Sequence, residues 1–259
     1  MLADYFNTTV GHVQVFNKKT GELVYEDKNK IMIPSSECMA MRMFNFSSNQ
    51  NYVSPTYNQV MDLDYNHAGT GNDLTFQYKV CLFCMGTSGC AKGSQIKYEV
   101  SNKKWIAPED LVPFKYVESN NDLNNIDRNI YFGRKLLLEK EAIAYYFKKF
   151  DSNPVINRQY ENGTNWTTSI YDDDSTLRAN VRVGLTFTID EQDGRDYFDK
   201  TTGINDALFN TIELLAAWTE VIDGYTYYQD VRPFTRLNMP HKYLSSNGDS
   251  YEFKYYLYF

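Results

Sequence analysis

No stretch of this 259-residue chain approaches the roughly 20 consecutive apolar residues that a membrane-spanning helix needs. The opening Met1-Leu2-Ala3-Asp4-Tyr5 has neither the basic nor the apolar region of a secretory signal, so the expectation is a protein made and folded in the cytoplasm. Basic residues are also short: 26 Lys and Arg face 33 Asp and Glu, a formal charge of -7 with no basic stripe. That balance argues against a nucleic-acid backbone as the main partner. The three histidines, His12, His67 and His241, are too scattered for a helical metal pair, and no Gly-x-Ser-x-Gly elbow is present. No repeat or low-complexity tract organises the chain. The sequons at Asn7, Asn45, Asn162 and Asn165 carry no functional weight without an export signal.

Aromatic residues, by contrast, are abundant. The 22 Tyr and 16 Phe suit a sheet, where rings find half-buried positions or subunit contacts. Val13 and Val15, then Leu23 and Tyr25, flank a polar turn with Gly21 and predict a β-hairpin. A short helix is expected over Cys38-Met39-Ala40-Met41-Arg42-Met43-Phe44 behind a Ser cap, and a long loop over 45–73. Phe76, Tyr78, Val80, Leu82 and Cys84 alternate into a Gly-rich turn, after which Ile96, Tyr98 and Val100 resume the alternation. Pro108-Glu109-Asp110 starts one helical turn. The segment from Leu136 to Phe147 fits either period and is read as strand. Val181, Val183, Leu185, Phe187 and Ile189 form the clearest strand, whereas Asn205-Asp206 predicts a capped helix through Trp218 with Leu208, Ile212, Leu215 and Ala216 on its apolar side. The expected class is mainly β, antiparallel and β-sandwich-like, with a few short helices. Its divisions are expected at 1–117 and 130–259, the polar stretch 118–129 being either a boundary or a long loop within one domain 1–259.

The alternating end of the chain places Tyr251, Phe253, Tyr255, Leu257 and Phe259 on one face, which must be paired and covered to avoid templating aggregation. These five are the candidate interface residues. Cys81 and Cys84 form a C-x-x-C that Cys90 and Cys38 would complete as a zinc site, but a strand sends Cys81 and Cys84 to opposite faces, which favours buried free thiols. Asp62, Asp64, Asn66 and Asp73 have calcium-loop spacing, with His67 in place of the turn Gly and Asp in place of the closing Glu, so a solvated loop is the plainer reading. Asp172, Asp173 and Asp174 read as exposed turn material. Gly86-Thr87-Ser88-Gly89-Cys90-Ala91-Lys92-Gly93 lacks phosphate-loop spacing and reads as a turn. The expectation is a protein without catalytic residues or cofactor.

Several segments together resemble virion structural proteins of tailed bacteriophages, particularly those of large, A/T-rich-genome myoviruses. The residues that carry this likeness are the hairpin from Val13-Gln14-Val15-Phe16 to Val24-Tyr25-Glu26, the segment Leu82-Phe83-Cys84-Met85-Gly86-Thr87-Ser88-Gly89, and Tyr131-Phe132-Gly133-Arg134-Lys135 followed by Tyr145-Tyr146-Phe147-Lys148-Lys149-Phe150. Ile189 to Phe198, and Phe234-Thr235-Arg236-Leu237-Asn238-Met239-Pro240 before the closing aromatic strand, extend it. Asn210-Thr211-Ile212-Glu213-Leu214 departs from the pattern by lacking a Gly. The resemblance implies a non-enzymatic β-rich building block of tail, baseplate, neck or head surface, located in the virion and held by other virion proteins as a homo- or hetero-oligomer. A second reading is a glycan-binding β-sandwich in which Trp166, Tyr225, Tyr227 or Tyr228 stacks on sugars. A third is a glycan hydrolase using unmarked carboxylates such as Asp190 and Glu191.

Overall fold

A computed structural model describes residues 10–16, 20–30, 39–40, 43–44, 79–91, 93–100, 105–121, 123–160, 165–168, 178–201, 203, 207–222, 225–244 and 250–259. The class is mainly antiparallel β. Thirteen strands are described: β1 (Val10–Phe16), β2 (Leu23–Lys30), β3 (Lys79–Gly86), β4 (Leu111–Val112), β5 (Lys115–Glu118), β6 (Tyr131–Leu137), β7 (Ala142–Lys149), β8 (Val155–Tyr160), β9 (Trp166–Thr167), β10 (Arg178–Ile189), β11 (Leu208–Ile222), β12 (Tyr225–Tyr243) and β13 (Tyr251–Tyr258). Among the described residues there are also one continuous α-helix, α1 (Arg195–Thr201), and three short 3-10 turns. Met39, Ala40, Met43 and Phe44 are helical, as the Ser-capped segment predicts.

The strands form three sheets. β1 and β2 make a two-stranded sheet, β13-β10-β8-β9 a four-stranded one, and β12-β11-β3-β7-β5 the main path of a seven-stranded one, with β4 on β3 and β6 on β7. Two compact units emerge that interleave in sequence: Met1–Asn72 with Asn153–Leu185 and Lys254–Phe259, and Asp73–Ser152 with Thr186–Phe253.

In the second unit the core is an aromatic layer between sheets. Phe83 of β3 lies 4.4 Å from Phe187 of β10, which stacks on Phe253 of β13 at 5.0 Å, while Phe209 of β11 lies 6.3 Å from Phe253. Rings from the seven-stranded sheet thus meet rings from the ends of β10 and β13, the arrangement of a sandwich. The alternation in β10 does what it predicts: Val181, Val183, Leu185, Phe187 and Ile189 are all buried. Each such side chain contributes about 1.5–3 kcal/mol by leaving water.

The segment from Ala207 to Trp218, predicted as a helix, is instead strand β11, paired with β12 on one side and β3 on the other. Residues 209–217 are buried at every position, so the run is apolar because both faces are covered. A buried central strand and a buried helix have similar sequences at this length, and pairing on two edges decides between them. The helix occurs at α1, after the turn that ends β10. Ile96, Tyr98 and Val100 do not form a named strand: they are exposed, and their segment is tied to the turn by one bridge between Cys90 and Lys97. Leu136 to Phe147 forms β6 and β7, joined by a tight turn whose Glu141 takes φ 47°. β12 accommodates Pro233 and Pro240 at register shifts of its pairing with β11, Pro233 opposite Leu215 beside one shift and Pro240 within another, the irregularities at which a strand tolerates proline.

Candidate functional site

Four arrangements of side chains among the described residues bear on function. The first surrounds the Gly-rich turn after β3. Thr87 N–H donates to the Asp110 carbonyl at 2.9 Å and Gly89 N–H to Asn210 Oδ1 at 2.6 Å. Those backbone donors are spent within the chain, so the turn does not offer them to a phosphate. The bond from Gly89 also fixes the Asn210 amide: its Nδ2, 3.1 Å from His241 Nδ1, is the donor, which leaves the ring proton on Nε2. Arg236 donates from Nε to Asn238 Oδ1 at 3.0 Å and from a terminal nitrogen to Ser88 Oγ at 2.8 Å. Asn238 Nδ2 reaches the Tyr98 carbonyl at 3.1 Å, and Glu213 accepts from Ile106 N–H at 3.1 Å. Burial pushes the Glu213 carboxyl up against the opposing pull of Arg236, 3.8 Å away. The cluster clamps Ser88, Gly89, Tyr98 and Ile106 onto β11 and β12. Ser88 bonds Arg236 rather than His241, so no serine–histidine pair forms here.

The second joins β7 to the turn that ends β10. Lys148 Nζ meets Asp190 Oδ2 at 2.6 Å, Asp193 Oδ2 at 2.6 Å and the Thr188 carbonyl at 3.0 Å, three acceptors for three donors. Tyr131 Oη donates to Asp193 Oδ1 at 2.9 Å, and Asp190 N–H to Asp193 Oδ2 at 2.8 Å. Burial works to lower the Lys148 pKa, but the two carboxylates outweigh it and hold the ammonium above its ordinary value. Burial, then the neighbouring Asp193 charge, raises the Tyr131 phenol. With every ammonium donor used internally, the cluster works as a latch on the β10 turn. Asp190 serves that latch, while Glu191 lies exposed beside it.

The third is an aromatic and arginine stack in the first unit. The Arg182 guanidinium carbon lies 4.2 Å from the centre of the Trp166 ring and 4.3 Å from that of Tyr256, and Tyr258 meets Trp166 edge-on at 5.9 Å. Arg182 Nε is buried without a hydrogen-bond partner. The β8–β10 pairing places Arg182 opposite Asn157, and β9 brings Trp166 opposite Gln159. Arg182 lies at an outward position of the alternation that buries Val181 and Val183. Trp166 was legible in the sequence as a possible sugar-stacking ring, whereas its partners were not, because they come from strands 16 and 90 residues further along.

The fourth is the hairpin β1–β2. Phe16, Leu23, Val24 and Tyr25 are all exposed, and consecutive residues of a strand such as Leu23 and Val24 point to opposite faces, so exposed apolar groups lie on both sides.

The candidate interface residues of the last strand are engaged within the chain. In the second unit Phe253 stacks on Phe187, and Tyr251 meets Phe209 edge-on at 5.5 Å and donates from Oη to the Tyr243 carbonyl at 2.7 Å. In the first, Phe259 meets Phe44 at 5.9 Å. Tyr255 and Leu257 on the same face are half-buried, whereas Glu252, Lys254 and Tyr256 of the other face are exposed. Cys81, Cys84 and Cys90 are buried free thiols, with burial pushing Cys81 up to about 12 and Cys84 higher still. Cys38 and the calcium-loop candidates Asp62, Asp64, Asn66 and Asp73 lie outside the described residues, as do Asp172, Asp173 and Asp174. Among the described residues no group of three or more His, Cys, Asp or Glu is placed to hold a metal ion, and no helix is long and apolar enough to cross a membrane.

Comparison with protein-family models, with curated proteins and with solved structures finds no match to this chain.

Proposed function

We propose that this protein is a structural subunit of a tailed-phage virion, of tail, baseplate or neck, which assembles with neighbouring virion proteins through strand and aromatic contacts. The observation that carries the assembly reading is the β1–β2 hairpin. Among the described residues it forms a sheet of two strands, and a two-stranded hairpin by itself is marginal in water. It exposes Phe16 at 54 %, Val24 at 57 % and Tyr25 at 57 %. Edges without a further strand among the described residues, beside the exposed Phe16 and Val24, suit an arm that a neighbouring subunit completes by adding a strand or covering the apolar groups. The virion assignment itself rests on the sequence resemblance. The internally satisfied polar clusters agree with a building block whose chemistry is structural.

The test is the mass of the purified chain by size exclusion with light scattering, alone and after mixing with lysate of phage particles. The expected result is a discrete oligomer or recruitment into particle substructures, lost in the double variant Val24→Asp, Tyr25→Asp while its circular dichroism is unchanged. A stable monomer indifferent to virion proteins would overturn the reading.

A further inference from the structure

An arginine partly withdrawn from water normally finds a carboxylate or carbonyl, because a buried N–H left without an acceptor costs about 1–3 kcal/mol. Arg182 does not. Among the described residues its interactions are the two rings that enclose it, and its Nε is buried and unpartnered. Sandwiching fixes the plane of the guanidinium without using any of its five N–H donors, so the fork is pre-oriented for a planar, two-oxygen acceptor. The surroundings extend this beyond a bare anion site. Tyr256 is 45 % exposed, Asn157 stands opposite Arg182, and Gly184, two residues along β10, lets the Tyr256 ring and the Asn157 amide lie close over the sheet, where a Cβ would already touch both.

We propose that Arg182, Trp166, Tyr256 and Asn157 form a binding site for a carboxylated sugar, the ligand class being acidic glycans. The carboxylate takes the guanidinium fork, the C–H face of the sugar lies against the exposed side of the Tyr256 ring, and a hydroxyl reaches the Asn157 amide. A phosphodiester chain fits less well, since such polymers are held by several cations in a row, and among the described residues one guanidinium lies between the two rings, in a chain of net charge -7 where Lys254, on the face of Tyr256, is flanked by Glu252. The site is independent of the hairpin and of the assembly role, so failure of either reading leaves the other standing.

The test is titration calorimetry of the full chain with alginate oligosaccharides and with sialyllactose, each alongside its carboxyl-reduced form. At least one acidic sugar is expected to bind, and reducing its carboxyl should weaken binding about tenfold or more, the worth of a charge-assisted bidentate contact. Arg182→Lys, which keeps the charge but not the fork, should cost a similar factor, and Tyr256→Ala a smaller one. The carboxyl-reduced arm uses the unaltered protein, so it decides even if Arg182→Lys folds poorly. Failure of both acidic sugars to bind, equal binding of their reduced forms, or tighter binding of single-stranded DNA or polyphosphate would overturn the proposal.

Discussion

Lys148 Nζ lies 2.6 Å from Asp193 Oδ2, and the two side chains keep only 4 % and 0 % of their surface in water. The pair is held in a shell of bonds from Tyr131, Asp190 and the Thr188 carbonyl, and it ties β7 to the turn between β10 and α1. Its position rather than its chemistry is the useful property: it fixes where the most regular strand of the protein stops.

Removing the cation alone should therefore be costly. Lys148→Met leaves the Asp193 carboxylate buried and uncompensated, and the expected loss is about 3–5 kcal/mol by urea unfolding. Adding Asp193→Asn should recover much of it. Equal stability of the single and double variants would show that Asp193 is not charged in the fold.

Stability should fall on the alkaline side. Cys81 has an ordinary value of 9.0 and a folded one of about 12, so between those pH values the unfolded chain releases a proton that the folded chain keeps. Proton release then favours unfolding, at about 1.4 kcal/mol per pH unit for each such thiol. Cys84 acts in the same sense, and the raised Tyr131 and Lys148 join it at higher pH. Urea unfolding at pH 8 and pH 10 should show the drop, and Cys81→Ala should make it shallower. A drop of the same size in that variant would mean that the Cys81 thiol ionises freely in the fold.

Phe187 is wholly buried among Phe83, Phe150 and Phe253. Phe187→Ala should cost about 3–5 kcal/mol. Deleting residues 251–259 removes Phe253 from this layer and bares an edge of β10, and the expected outcome is insoluble or unassembled protein. A soluble deletion variant that still enters particles would contradict both the packing argument and the assembly role of the strand.

Gly89→Ala should damage the clamp on the Gly-rich turn, because a Cβ there would overlap the Asn210 carbonyl, which is backbone and cannot rotate aside. About 1–3 kcal/mol is expected from thermal or urea unfolding. Gly93→Ala, in the same turn but with open space around it, is the contrast: its cost comes from a φ of +75° and not from collision.

Local pattern carried the sequence reading wherever one face of a strand meets water. The alternation of Val181 to Ile189, the β1–β2 hairpin around Gly21, the 3-10 turn at Pro108–Asp110 and the Leu136 to Phe147 segment all follow from neighbours a few residues apart. It failed at β11, where both faces are buried and the period that separates strand from helix disappears. The candidate sites were less legible still. Trp166 could be singled out as a ring, but nothing near it in sequence announces Arg182 or Tyr256, and Lys148 gives no sign of the Asp193 it meets 45 residues later.

By itself the amino-acid sequence determined the class of fold: the abundance of Tyr and Phe, the two-residue alternation and the Gly-marked turns demand antiparallel sheet with an aromatic interior, because backbone geometry and burial act over short distances. Only the tertiary structure decided which strands lie side by side, and therefore which charges are buried as a pair, which thiols are shut from solvent and which arginine is left between two rings without an acceptor. Those outcomes depend on contacts between residues far apart in the chain, whose free energy exists only once the sheets have assembled.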